Sequence, residues 1–340
     1  MRLQKKTLVI SLVVLVIFIF AALTLHSQMD GEIPQKQLDG YNYVLGTQTV
    51  GSKYQFTEET MLVETAKQIK EMGSNLLKFS MNPRYSTENY GLPHNKEITS
   101  LTRLAKLEPS VKAVLDMDFK YYHIWAYGFS QYTPEPEGEK IDSNQIKFLN
   151  GYPDHYAEAL YKELYDLAAY LLRTYNNTGK VFYLGHWEGD WHLRWDYDNT
   201  KPVKPETLAG MLKWEKIRQK AIDDAKKDVA YKNVEMYNYI EVNQVMIGMD
   251  KGRQCVTNEI VNNVNPDYVS YSAYDATNPY KTEESLNKHL KRALDYIASQ
   301  LSPKQNLPEG KRVWIGEYGN PAKHYNETMQ DLRSRWTIKA

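Results

Sequence analysis

A single cysteine, Cys255, is all the thiol this 340-residue chain carries. No disulfide can form within one chain, and the Val-Thr-Asn-Glu that follows offers no nucleophile's setting. Cys255 is therefore expected to be a small buried apolar residue in a short helix. Neither sign of charge is in excess: 42 Lys and Arg balance 42 Asp and Glu. That excludes the basic field by which a protein holds nucleic acid. No glycine-rich phosphate turn follows any strand-like run, which counts against a doubly wound dinucleotide fold. Long apolar runs are missing as well, with one exception. Thr7 to Leu25 carries no charge and follows Arg2, Lys5 and Lys6. Its length is close to the ~20 residues that span a bilayer. It is longer than the ~7–15 residues of a signal-peptide core, and no small-x-small cleavage site follows Ala21-Ala22. Residues 1–27 are read as a signal anchor with its basic end inside, a cleaved secretory peptide being the alternative. The remainder is expected outside the cytoplasm, membrane-anchored or secreted. Residues 28–40 are polar and aperiodic, a linker.

What the chain has in quantity is aromatic polarity: 27 Tyr and 7 Trp. Such side chains pair a flat apolar face with a polar handle, and they suit ligand clefts as well as cores. Residues 41–340 form one domain of alternating strands and helices. Strands are expected at Tyr43–Thr47, Asn75–Ser80, Val111–Asp116, Val181–Gly185, Val234–Val242, Tyr268–Tyr274 and Val313–Glu317, with Tyr121–Tyr132 as a long aromatic loop. Between them lie helical runs with apolar residues at 3.6 spacing, such as Thr57–Met72 ended by a left-handed Gly73, and Tyr156–Tyr175. Seven such units with no internal linker imply a parallel sheet, and fit a (β/α)₈ TIM barrel better than two open sheets. An eighth strand is not visible after Glu317. The expectation is that the chain is truncated or that something unrecognised closes the gap.

Two strand ends carry acids. Lys311 to Pro321 reads as a short strand stopping on Glu317, which continues the face of Val313 and Ile315. Gly185-His186-Trp187-Glu188-Gly189-Asp190-Trp191 ends the fourth strand. In a barrel, the C-terminal ends of strands converge on one face. Glu188 and Glu317 would then meet across a cleft, as glycosidic hydrolysis requires: one carboxylate attacks the anomeric carbon, the other protonates the leaving oxygen and later activates water. The proton donor should have the higher pKa.

These stretches, with Gly73-Ser74-Asn75-Leu76-Leu77-Lys78, Ser272-Ala273-Tyr274 and Ile315-Gly316-Glu317-Tyr318-Gly319, resemble the clan A glycoside hydrolases, retaining (β/α)₈ enzymes. The resemblance implies Glu188 as acid/base, Glu317 as nucleophile and Tyr274 as a hydrogen-bond partner of the nucleophile. Lys78 stands where the clan commonly has an arginine, Asp118 near a common histidine, and Trp187 where an asparagine usually precedes the acid/base. Trp187, Trp191, Trp125 and Tyr122 are candidate sugar platforms, since ligand clefts favour aromatic walls. A carbohydrate is the expected partner, and no cofactor is called for. Two other readings remain. One is a sugar-binding barrel without turnover. The other is a metal-dependent hydrolase built on His186, Glu188, Asp190 and His192, which would share one face if the strand continued past Gly189.

Overall fold

Strand and helix do alternate along the chain, and the strands assemble as one parallel sheet. The computed structural model describes residues 45–49, 55–87, 89–132, 148, 151–194 and 197–340. Its seven strands are β1 (Thr47–Thr49), β2 (Leu76–Met81), β3 (Tyr121–Ala126), β4 (Val181–Gly185), β5 (Glu235–Val242), β6 (Tyr268–Ser272) and β7 (Val313–Glu317). They lie in sequence order, and every neighbouring pair is parallel. No eighth strand occurs among the described residues. The expected anchor and linker, residues 1–27 and 28–40, lie outside them, as do Tyr43 and Val44 of the expected first strand. Among the described residues no helix is long and apolar enough to cross a membrane.

The sheet curls. Trp314 of β7 sits 4.8 Å, centroid to centroid, from His123 of β3, and 5.1, 5.6 and 5.3 Å from Tyr183 of β4, Tyr239 of β5 and Tyr268 of β6. A strand at one end of the sheet touches the third only if the surface between is rolled inward. The result is a TIM-barrel-like α/β architecture whose concave interior is packed with aromatic rings. The other face carries Leu77, Phe79, Phe182, Leu184, Val269 and Tyr271, all buried. Helices α1 (Met61–Glu71), α2 (Leu101–Leu107), α3 (Pro109–Asp116), α4 (Asp154–Thr174), α5 (Gly189–Leu193) and α6 (Pro205–Asp228) belong to the first half. The second half has α7 (Val245–Lys251), α8 (Asn262–Val264), α9 (Tyr274–Thr277), α10 (Glu283–Ser299) and α11 (Glu327–Lys339). Gly73, at φ 86°, takes the left-handed conformation expected of it after α1. Cys255 is buried, as expected, but it precedes a π-helical turn (Thr257–Val261) and is not inside a helix.

One strand was misplaced by sequence. Val111–Asp116 is not β3; it lies in α3. Pro109 opens that helix at a position that needs no N–H, and the Glu108 carboxylate caps it by accepting from Val111 N at 2.8 Å. Val111, Val114 and Leu115 are buried at helical spacing. The true β3 is Tyr-Tyr-His-Ile-Trp-Ala, taken from the sequence as loop because its density of rings hid the alternation. Aromatics are strong strand formers when flanked by paired strands on both sides.

Candidate functional site

The C-terminal ends of β2, β4, β5, β6 and β7 bring a lysine and three glutamates together. Lys78 stands on β2, its ammonium 2.7 Å from Glu241 Oε2 of β5 and 3.0 Å from Glu317 Oε1 of β7. Glu241 Oε2 also accepts from Ser270 Oγ of β6 at 2.7 Å, and its Oε1 from the backbone N–H of Glu188 at 3.1 Å. Glu188 Oε1 takes the Ser272 hydroxyl at 2.5 Å and Oε2 the Trp191 indole N–H at 2.5 Å. All four charged groups are buried: Lys78 is 3% exposed, Glu188 8%, Glu241 0% and Glu317 9%. Trp125 of β3 lies over the ammonium, its ring centre 4.6 Å from Nζ. A cavity of about 910 Å³ opens beside the cluster, lined among others by Lys78, His123, Tyr183, Tyr274, Trp314 and Glu317.

Local chemistry explains how the chain reaches this geometry. The alternation of β7 predicts that Glu317 shares a face with Val313 and Ile315, and the structure corrects this. Ser270 pairs with Trp314 and Tyr271 with Ile315, but Ser272 pairs with Glu317, so Gly316 is an extra residue in a β-bulge. The bulge turns Glu317 to the side of Trp314, into the concave interior. Only glycine fits there, because a Cβ would lie 1.7 Å from Ser270 Oγ and 2.9 Å from Glu241 Oε2. Gly189 plays a similar part after β4. A Cβ on it would meet the Glu241 carbonyl at 2.8 Å, so its absence lets the turn carrying Glu188 lie directly on β5.

Burial dominates the electrostatics. It pushes Glu188 above the ordinary carboxyl range, against the hydrogen bonds from Ser272 and Trp191. It pushes Glu317 from 4.5 up to about 7, with the negative charge of Glu241 adding to the rise and Lys78 opposing it. Both carboxyls thus stand above the ordinary range, each raised by burial and by the charge of Glu241. Burial holds His123 down to about 3, so its imidazole is neutral at the edge of the cluster. Tyr274 is raised to about 12 by burial and then by Glu317, Glu188 and Glu241.

Of the residues singled out from the sequence, the structure brings together Glu188, Glu317, Lys78, Trp125 and Trp191. Trp191 also packs at 4.9 Å on the exposed Tyr197, a half-open aromatic pair next to Glu188. Tyr274 lines the same cavity but makes no direct hydrogen bond to Glu317. It begins α9 past the end of β6 and faces the loop after β7, where a Cβ added to Gly319 would lie 3.7 Å from the phenol oxygen. Trp187 is half-buried against the core, its backbone N–H donating to the Tyr127 hydroxyl at 2.9 Å, and it is not part of the cavity wall. Tyr122 is no platform. It points outward from β3, stacks on Phe182 at 5.2 Å and donates to the Met117 carbonyl at 2.6 Å. Asp118 is fully solvent-exposed at the opposite end of the strands, near Lys70. Both corrections follow from the misplaced third strand.

His186, Glu188, Asp190 and His192 do not converge. The chain turns helical at Gly189, so the two-residue period ends there. His186 Nε2 meets Glu215 at 2.7 Å, and His192 Nε2 pairs with the Tyr127 hydroxyl at 3.0 Å. Asp190 accepts from the backbone N–H groups of Asn243, Gln244 and Val256 at 2.9, 3.0 and 2.7 Å. Among the described residues no group of three or more His, Cys, Asp or Glu is arranged to hold a metal ion.

Sequence reading missed Glu241, Ser270, Ser272 and His123. The signal for Glu241 was present: it continues the Tyr237 and Tyr239 face to the end of β5, just as an acid ends β7. The serines carried no such signal, since only their neighbours in space make them partners. No family model matches the chain, and neither a curated protein nor a solved structure matches it.

Proposed function

We propose that this protein is a retaining glycoside hydrolase on a TIM-barrel fold, acting on an extracellular polysaccharide or glycan. One observation carries the reading: Glu188 and Glu317, 129 residues apart in sequence by their numbers, end β4 and β7 in one buried cluster beside an aromatic-lined cavity. Glu317 attacks the anomeric carbon, while Glu188 protonates the leaving oxygen and then deprotonates the water that releases the sugar. Lys78 and Tyr274 line the cavity that would take the sugar, while Trp125 packs on Lys78 and Trp191 on Glu188. Glu317 attacks as the carboxylate, the form it takes once its proton has passed to solvent, and the Lys78 ammonium at 3.0 Å favours that form. Export through the apolar run at Thr7–Leu25 fits a substrate outside the cell.

The test uses the full chain, a panel of activated aryl glycosides, and Glu188→Gln and Glu317→Gln. Each variant should lose turnover by about two orders of magnitude or more, the usual scale for a general acid or base. Azide should restore glycosyl-azide formation with retained configuration in the Glu188 variant and inverted configuration in the Glu317 variant. Wild-type rates in both variants would refute the assignment. A sugar-binding domain without turnover is favoured by the Lys78 ammonium, which occupies Glu317 Oε1 at 3.0 Å; it predicts calorimetric binding of glycans and no hydrolysis.

A further inference from the structure

Glu241 is the one carboxylate of the cluster with no part in the double displacement. Its carboxylate is wholly buried, yet it is joined to two strands besides its own and to the turn after β4: the Lys78 ammonium of β2, the Ser270 hydroxyl of β6 and the backbone N–H of Glu188. A buried carboxylate is costly unless paired and hydrogen-bonded, and here every partner belongs to the site. The charged groups facing Glu317 are Lys78, Glu241 and Glu188. β3 offers the neutral His123 and Trp125, and β6 offers Ser270 and Ser272, with Tyr274 following. Three acids against one ammonium would leave two negative charges in a space shielded from water.

We propose that Glu241 is a positioning residue: it is the closer partner of the Lys78 ammonium, holding it between itself and Glu317, and it braces the backbone of Glu188, so that its charge sets how readily Glu317 gives up a proton. The inference rests on the glycosidase reading for its consequence in the rate, but not for the titration itself. The geometry gives the direction. Lys78 has two carboxylates to serve, at 2.7 and 3.0 Å, and the closer one is Glu241. Neutralising Glu241 leaves the whole ammonium to Glu317 and removes a repelling charge, so Glu317 should lose its proton at lower pH.

The experiment is a carbon-13 NMR titration of protein labelled at the glutamate side-chain carboxyl carbons, on the wild type, Glu241→Gln and Glu241→Asp. In the wild type, the Glu317 resonance should inflect near neutral pH. Glu241→Gln should move the Glu317 inflection down by about one unit or more, a tenfold change in proton affinity. Glu241→Asp keeps the charge and should restore most of it. The limb of kcat/KM that Glu317 governs on an aryl glycoside should move down by the same interval. A Glu317 inflection unmoved in folded Glu241→Gln would overturn the proposal. So would a wild-type Glu317 resonance that inflects in the ordinary carboxyl range, an observation that stands even if the variants do not fold. A Glu317 inflection that moves as stated with no glycoside turnover would instead remove the enzymatic reading and leave this one.

Discussion

Replacing Glu317 by Gln should make the protein more resistant to unfolding at alkaline pH, although the substitution removes an ion pair. The folded-state carboxyl is raised from 4.5 to about 7, burial being the largest cause. Below about pH 4.5 the group is protonated in both the folded and unfolded chains, and its contribution is fully present. As pH rises toward 7 the unfolded chain releases its proton while the folded one keeps it, so stability falls. Above about pH 7 the folded protein carries the whole penalty, on the order of 3 kcal/mol for a shift of that size. The side chain is only 6% exposed, so solvent screens little of it. Gln is neutral throughout, and Lys78 keeps Glu241 as a partner at 2.7 Å. Urea denaturation of both proteins at pH 4, 6 and 8 measures the difference directly. The variant's relative stability should climb by about 3 kcal/mol between the first and last of these. A flat difference, or one that falls with pH, would mean that the Lys78 pairing outweighs desolvation, and the account of this site would be wrong.

Two further outcomes follow from contacts in the same cluster. Gly316→Ala places a methyl group 1.7 Å from Ser270 Oγ and 2.9 Å from Glu241 Oε2; overpacking of this kind costs about 1–3 kcal/mol. Thermal denaturation should show that loss together with a fall in any glycosidase activity, and unchanged stability would contradict the bulge geometry. Trp191→Phe removes a donor that holds the Glu188 carboxyl down, so Glu188 should titrate higher by up to about one unit, the worth of one hydrogen bond to a charged group. A carbon-13 titration of the Glu188 side-chain carboxyl reads this, and a downward move would show that the indole does not favour the ionised form.

Much of the architecture was legible because periodicity is a local property. Six of the seven strands fall on or beside apolar runs bounded by turn residues, and Gly73, Pro205 and the apolar stripe of α4 mark helix ends and faces directly. Val111–Asp116 was misread because a short apolar run with β-branched residues suits either structure; Pro109 and the cap from Glu108 decided for the helix. That one error displaced the third strand by about ten residues, a size of slip that turned Tyr122 and Asp118 into site candidates and hid His123. Glu188 and Glu317 were legible because an acid at the end of an apolar strand is conspicuous. Glu241 carried the same mark and was passed over.

The sequence determined which segments become strands and helices and which strand ends carry carboxylates, since these depend on near neighbours along the chain. Only the tertiary structure decided that Glu317 faces inward, because the bulge at Gly316 exists through the pairing of β7 with β6. It alone decided that Lys78 lies between two glutamates more than 160 residues away. Proton affinities in the cluster follow from that meeting. They depend on burial and on charges a few ångströms off, and neither quantity is encoded in the order of residues alone.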